Sequence, residues 1–461
     1  MQLSHTRRVV SASFDDPNLV SAAALVPVMK LAEKAGLRKL AAERLTVPTD
    51  KGANAGLKVA SLVGGMVAGA DSIDDMGLLR HGGMGKLFTA CYAPSTLGSF
   101  LRQVTFGHVR QLDAVAARFL SGLAANSEAT AGIDDDVLVD IDDTIIEVHG
   151  HQKQGAGFGY SGVRGLNTLL ATAETAAPVI IGQRLRKGAC GSPRSAARMV
   201  ADALATVTRL RGADASGSVL LRADSAFYGH ATVNAAVTAG AQVSITARMD
   251  PAVKRAIATI PEDAWETIEY TDAIFDEQTS RWISNAEVAE VPFTAFTSRT
   301  KSEQVTGRLV VRRIPELNKK HLDQPTLFDT HRFHAFFTTS TVDTVPANKT
   351  HRSHAIIEQV NADLKHSALA HPPSGVFTAN AAWLVLAVMA FNLTRAAATI
   401  TGTALAKATT ATIRRKIISV PARIATSARK LTLHLPAQWP WETAWRNLFN
   451  ANCGPPRTIT A

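Results

Sequence analysis

Val137-Leu138-Val139-Asp140-Ile141-Asp142 is the stretch that decides the fold. Its β-branched residues stand at alternate positions, the spacing of a strand buried against a core. The apolar run ends in acid, because Asp140, Asp142 and Asp143 crowd three carboxylates into four positions. A second run, Val219-Leu220-Leu221-Arg222-Ala223, leads in the same way to Asp224. A buried carboxylate without a partner is costly, so aspartates at the ends of two apolar strands need a reason, and metal binding would relieve their mutual repulsion. By alternation Asp140 and Asp142 share one strand face, and Asp143 points away or begins a turn. Two plainer readings stand beside this one: a solvated strand-to-turn junction at 140–143, and a helix N-cap at Asp224.

Outward from that stretch, residues 137–142, 166–174 and 177–185 read as strands and 194–210 as an alanine-rich helix. A strand over 219–223, a helix over 231–239 and a strand over 242–247 follow. Three strands, a helix, a strand and a helix is the ribonuclease-H-like order, although periodicity alone leaves other α/β folds open. Upstream, residues 18–123 read as helical, with Gly36 interrupting one helix and Pro94-Ser95-Thr96 starting another. The small, polar and acidic segment 124–136 reads as a linker. Downstream, residues 250–323 turn β-rich and carry Trp265 and Trp282; residues 333–339 read as a strand returning to the main sheet. The chain is then helical to about residue 398, and the tail carries a basic run from 411 to 430.

A hydrophobic fraction of 46% over 461 residues excludes a largely disordered chain and leaves room for two or three domains. The formal net charge of +10 fits a polyanionic partner, nucleic acid before others. Cys91, Cys190 and Cys453 form no C-x-x-C pair, which argues against a disulfide framework or a cysteine zinc site and fits a reducing cytoplasm. No long apolar core follows Arg7-Arg8, so no signal peptide is expected. Residues 379–399 are the most membrane-like, but Asn380, Asn392, Arg395 and many alanines predict a buried core helix.

Glu358 is the third acid, in His351-Arg352-Ser353-His354-Ala355-Ile356-Ile357-Glu358, with Lys365 seven residues on and on the same helical face. Two strand-end aspartates and a helix-borne glutamate suit two-metal phosphoryl transfer, provided the strands adjoin and the helix packs across them. The span 358 − 224 = 134 positions far exceeds a strand-to-helix connection and predicts a folded insertion. The histidines of His149-Gly150-His151 and His351-x-x-His354 offer a competing zinc site, but neither pattern is H-E-x-x-H. A stronger rival is Asp140-Ile141-Asp142-Asp143-Thr144 read as D-x-D-x-T, the nucleophile motif of haloacid-dehalogenase-like phosphatases. In that reading Asp140 attacks phosphorus and Asp142 is the general acid/base. Asp224 lacks the close acidic partner such enzymes need for magnesium.

Asp140-Ile141-Asp142-Asp143-Thr144, Val148-His149-Gly150, Gly157-Phe158-Gly159-Tyr160 and Arg222-Ala223-Asp224-Ser225 together resemble the DDE transposases of insertion-sequence family 1380. Ser72-Ile73-Asp74-Asp75, Leu79-Arg80, Ala93-Pro94-Ser95-Thr96-Leu97-Gly98 and the helix from Ala381-Ala382-Trp383 to Asn392-Leu393 extend the resemblance over nearly the whole chain. It implies a multidomain α+β protein: a ribonuclease-H-like mixed α/β catalytic core interrupted by a β-rich insertion, with a helical N-terminal domain and a helical basic C-terminal region. The expected boundaries are 1–130 for the N-terminal DNA-binding domain, 131–249 and 331–400 for the core, 250–330 for the insertion and 401–461 for the basic C-terminal region.

The implied enzyme cuts transposon ends and joins strands to target DNA, with Asp142, Asp224 and Glu358 holding two Mg2+ ions, for which Mn2+ substitutes. Asp140 is the reserve first ligand. Related transposases carry a tyrosine, arginine, glutamate and lysine signature; here Glu358 and Lys365 match it, and His351 and His354 stand at the tyrosine and arginine positions. Lys365, Arg352, His354 and Trp282 are the expected nucleic-acid contacts, with Arg184, Arg186 and Lys187 as further phosphate candidates. Expected partners are transposon-end DNA with terminal inverted repeats, target DNA and a second copy in a synaptic homodimer, with no membrane. The expected location is the bacterial cytoplasm, at the nucleoid. A catalytically inactive, transposase-derived DNA-binding protein is the non-enzymatic alternative.

Overall fold

The computed structural model describes residues 10–48, 50–276, 281–315, 331–402, 404–428 and 430–454. Among the described residues, five α-helices of eight or more residues precede the main sheet: α1 (Leu25–Lys34), α2 (Leu37–Arg44), α3 (Ala55–Ala68), α4 (Pro94–Arg102) and α5 (Phe106–Ala124). Gly36 has φ +86°, a left-handed conformation that separates α1 from α2 at little steric cost. Pro94 starts α4, where its missing N–H costs nothing. Residues 124–136, expected as a linker, form turns packed on the sheet, with Ala129 and Ile133 in the core.

The sheet strands are β1 (Val137–Glu147), β2 (Arg164–Glu174), β3 (Val179–Lys187), β4 (Val219–Ala223), β5 (Gln242–Thr246), β6 (Glu266–Asp276), β7 (Arg281–Ala295), β8 (Val305–Pro315) and β9 (His331–Thr338). Helix α6 (Ala196–Leu210) joins β3 to β4, and α7 (His230–Thr238) joins β4 to β5. In space the strands run β3-β2-β1-β4-β5-β9-β8-β7-β6. The pairs β1–β4 and β4–β5 are parallel and the others antiparallel. The strands of the 250–330 segment therefore continue the central sheet, joined to it by β9 against β5. A two-residue strand, Gly157–Phe158, also pairs with the start of β2.

Alternation along β1 sorts its acids to opposite sides. Asp143 faces the α6 side, where Arg186 and Asn167 bond it. Asp140 and Asp142 face the other side, covered by α8 (Thr344–Arg352) and α9 (Ala355–Lys365). The chain breaks between these two helices at Ser353 and His354, so 351–365 is not the single helix that its spacing suggested.

Helix α10 (Phe377–Ile400) is buried along nearly its whole length, between the N-terminal helices and β3. By length and apolarity it is the one helix among the described residues that could cross a membrane, but here it is a core element, as its asparagines and arginine suggested. Asn392 donates to Ile180 O and accepts from Ile180 N, at 2.8 and 2.9 Å, so one side chain satisfies the backbone of the outer strand. Arg395 pairs with Asp363, tying α10 to the last turn of α9.

The C-terminal region corrects an expectation. Residues 401–461 were read as helical; besides α11 (Glu442–Cys453) they carry β10 (Ala422–Ser427) and β11 (Lys430–His434), a hairpin that also pairs with Leu19–Val20. Buried Ala422 and Ile424 alternate with exposed Arg423, a period-two pattern hidden within the basic run.

Candidate functional site

The parallel register between β1 and β4 brings the two aspartates together. Val137 lies opposite Val219, and the pairing continues to Asp140 opposite Arg222, where the β1–β4 ladder stops. Carried two residues further, the register sets Asp142 beside Asp224 on the same sheet face. Beyond that point β1 stays paired with β2 as far as Glu147, and β4 has ended. The sheet thus opens into a cleft of about 1150 Å³, lined by Asp142, Asp143, Asp224, Asn167, Arg248 and Lys365 among others. The strand does not end at Asp142, as its sequence suggested; its partner strand does.

One layer beneath the acids, Arg222 and Asp140 form a fully buried ion pair, with Nε to Oδ1 at 2.8 Å and Nη2 to Oδ2 at 2.9 Å. Arg222 also donates to Thr350 O, Ser353 Oγ and Glu174 Oε2, so all five of its N–H groups are used. His354 Nδ1 donates to Asp140 Oδ1 at 2.8 Å. These bonds tie the α8–α9 junction to three strands and so set how α9 lies over the cleft. Both oxygens of Asp140 are therefore occupied by cationic or imidazole donors in a buried layer, which denies Asp140 the in-line approach that a phosphatase nucleophile requires.

Asp142 Oδ1 accepts from the backbone N–H of Asp143 at 2.8 Å, and Oδ2 accepts from Asn361 Nδ2 at 2.9 Å. Burial pushes its carboxyl up to about 6, and the nearby charges of Asp143 and Asp224 add to the shift. Asp224 is raised too, first by its setting in the cleft and then by Asp143, although solvent reaches its side chain. Its Oδ1 accepts from Ala226 N at 2.9 Å, so the plainer role as the cap of a turn is also fulfilled.

Helix α9 presents His354, Glu358, Asn361 and Lys365 at spacings of four, three and four, one stripe along the helix. Asn361 touches Asp142; Lys365 lines the cleft, with burial lowering its ammonium and the Asp142 charge opposing that shift. Glu358 stands in this stripe with its side chain exposed, and it is not among the residues that line the cleft. Among the described residues, no three His, Cys, Asp or Glu side chains converge as a metal-holding group. Asn361, unnoticed in the sequence, has a buried Oδ1 with no hydrogen-bond partner beside Asp142. Two carboxylates raised chiefly by burial and a spare amide oxygen make a hard, oxygen-only donor set, the chemistry that Mg2+ and Mn2+ take.

The remaining candidates separate clearly. His351 is half-buried, stacks on Phe336 at 4.0 Å and hydrogen-bonds with Ser244 Oγ and Thr246 Oγ1. Burial, then the charges of His354 and Arg222, pull it down to about 3, so it stays neutral and acts in packing. Arg352 ends α8 with an exposed side chain. Trp282 lies in β7, and its side chain falls outside the described residues. Trp265 packs under the Arg313 guanidinium at 4.3 Å and beside Phe333. Two of the phosphate candidates are already engaged: buried Arg186 bonds Asp143, Asn167 and the carbonyls of Ser192 and Arg194, and Arg184 pairs with Asp202.

No curated protein matches the sequence. The family described as transposase DDE domain group 1 matches residues 2–451, nearly the whole chain. A chain with Asp142 and Asp224 lining one cleft at the mouth of a mixed sheet, matched over that span, belongs to the transposase DDE domain group 1 family.

Proposed function

We propose that this transposase-family protein cuts DNA at the ends of an insertion sequence resembling family 1380 and joins the freed strands to target DNA. The observation that carries the reading is the pair Asp142 and Asp224, aligned by the β1–β4 register at the floor of an open cleft. The strand order β3-β2-β1-β4-β5, with only β1, β4 and β5 mutually parallel, supports a ribonuclease-H-like core over 131–249 and 331–400. In this proposal 1–130 is a DNA-binding domain, 250–330 an insertion and 401–461 a basic C-terminal region.

Asp142 and Asp224 would hold the divalent metal ions, with Glu358 as the third carboxylate and Asn361 Oδ1 as an added oxygen. Bound Mg2+ would supply activation of the attacking water or DNA 3′-hydroxyl and stabilisation of the leaving oxygen. Asn361 holds Asp142 in orientation, and the Arg222–Asp140–His354 layer fixes the floor. Lys365 is set to meet a backbone phosphate entering beside Asp142, and Arg352 and His354 are assigned to the flanking backbone. Transposon-end DNA, target DNA and a second copy of the chain are the proposed partners, at the bacterial nucleoid.

Asp224→Asn tests the reading. It should abolish magnesium-dependent cleavage of DNA carrying the element's own ends while leaving binding of that DNA within a few-fold. Cleavage retained at the wild-type rate would remove Asp224 from the chemistry. A haloacid-dehalogenase-like reading would instead require Asp140→Asn to abolish release of phosphate from a generic phosphomonoester.

A further inference from the structure

Two aromatic rings stand at the mouth of the acid cleft on a backbone held by close glycine packing. Phe158 is 66% exposed and Tyr160 is 111% exposed, and among the described residues they are the only aromatic side chains lining this cleft. Isolated exposed rings are ordinary on a protein surface. What sets these apart is their support. Gly157 pairs with Gly165 and Phe158 with Arg164, which adds the segment to the edge of the sheet. A Cβ at Gly188 would lie 2.0 Å from Gly165 O and 2.4 Å from Gly157 O, and one at Gly159 would lie 2.8 Å from Gly188 O. Three backbone segments thus meet at distances that only glycine allows, and the loop closes through Gly162 N to Gly159 O at 3.1 Å, with Gly162 at φ +70°. The rings project from a fixed base, so little backbone freedom is lost when something covers them.

We propose that Phe158 and Tyr160 form a stacking platform for an unpaired nucleobase of the DNA strand whose backbone enters the acid cleft. This rests on the DNA-cutting reading and adds to it the form of DNA recognised: an end with a splayed base. A nucleobase is flat and uncharged, suited to aromatic faces, and its phosphate is suited to the Lys365 and Arg248 charges that line the same cleft. The chain's excess of +10 favours that polyanion over an acidic-poor protein partner.

The test uses the full chain in chelator, so that no strand is cut, with two fluorescent probes: a blunt duplex and the same duplex with a short single-stranded overhang. Wild type should prefer the overhang probe. The Phe158→Ala/Tyr160→Ala double variant should lose about five-fold or more of its affinity for that probe, the loss of about one stacked base. Its affinity for the blunt duplex and its unfolding temperature should not change. Tyr160→Trp should keep the preference, and a Phe158→Leu/Tyr160→Leu variant, apolar without a ring face, should not. An undiminished overhang preference in the double-alanine variant overturns the platform, as do equal losses on both probes or rescue by leucine. If wild type binds both probes equally, the platform fails alone; if it binds neither, the DNA reading of the cleft fails with it.

Discussion

Asp142→Asn should stabilise the metal-free protein, with a gain that depends on pH in one direction. Burial, then the neighbouring acids, raise the Asp142 carboxyl from 3.8 to about 6. A shift of about two pH units corresponds to at most about 3 kcal/mol, and solvent entering the cleft lowers the expected value to about 2 kcal/mol. Because the folded-state value is the raised one, the favourable contribution is complete below about pH 4 and is lost as pH rises through about 6. Wild type should therefore fall behind the asparagine variant across that window and stay behind by a constant margin above about pH 7. Asparagine preserves the local bonding: its Oδ1 can accept from Asp143 N, and Asn361 can turn its amide so that the orphaned Oδ1 accepts the new N–H. If the chain unfolds as one unit, its length implies an unfolding entropy of about 1 kcal/mol/K, so the gain is about 2 °C. Scanning calorimetry in chelator at several pH values measures it. A variant no more stable than wild type under mildly alkaline conditions, or a difference that does not change with pH, would refute the reasoning. Magnesium should then raise the unfolding temperature of wild type and leave the variant nearly unmoved.

Arg222→Ala should destabilise the fold by about 3–5 kcal/mol, read by urea unfolding, because Asp140 would be left buried without its cation. The Asp140→Leu/Arg222→Met pair should cost less than that single change. Asn392→Leu should cost roughly 2–6 kcal/mol in the same assay, since both Ile180 backbone groups lose their partner in the core. Lys365→Ala should weaken binding of the element's end DNA and reduce the slope of log affinity against log salt by about one, measured by titration at several ionic strengths; an unchanged slope would remove the phosphate contact.

What the sequence revealed was what short-range pattern controls. Strand alternation found β4 with its bounds intact and β1, β2 and β5 with shifted ends, because the side-chain period of two is local. It stopped β1 five residues early: Asp142 and Asp143 read as a strand end, but each finds a partner, Asn361 and Arg186, brought from far along the chain. The role of Arg222 was hidden for the same reason. An arginine inside an apolar strand is explained only once the register sets it opposite Asp140 and the α8–α9 junction supplies Thr350 and Ser353. The C-terminal hairpin was masked because its exposed alternate positions are basic, and charge drew the reading away from period.

The third acid shows where one-dimensional reasoning reaches its limit. Glu358 and Asn361 lie three apart on α9, so helical spacing puts both over the same strands and cannot choose between them. The choice is made by how deeply each turn of the helix sits. The first turn follows the break at Ser353–His354 and leaves Glu358 in solvent; the next turn brings Asn361 against Asp142. A carboxylate at position 361 would have met Asp142 and Asp224 with a third uncompensated charge, whereas an amide there donates to Asp142 and keeps an oxygen spare. With Glu358 out in solvent, the fold gathers two crowded aspartates and an amide rather than three acids, and so avoids the cost of burying a third carboxylate.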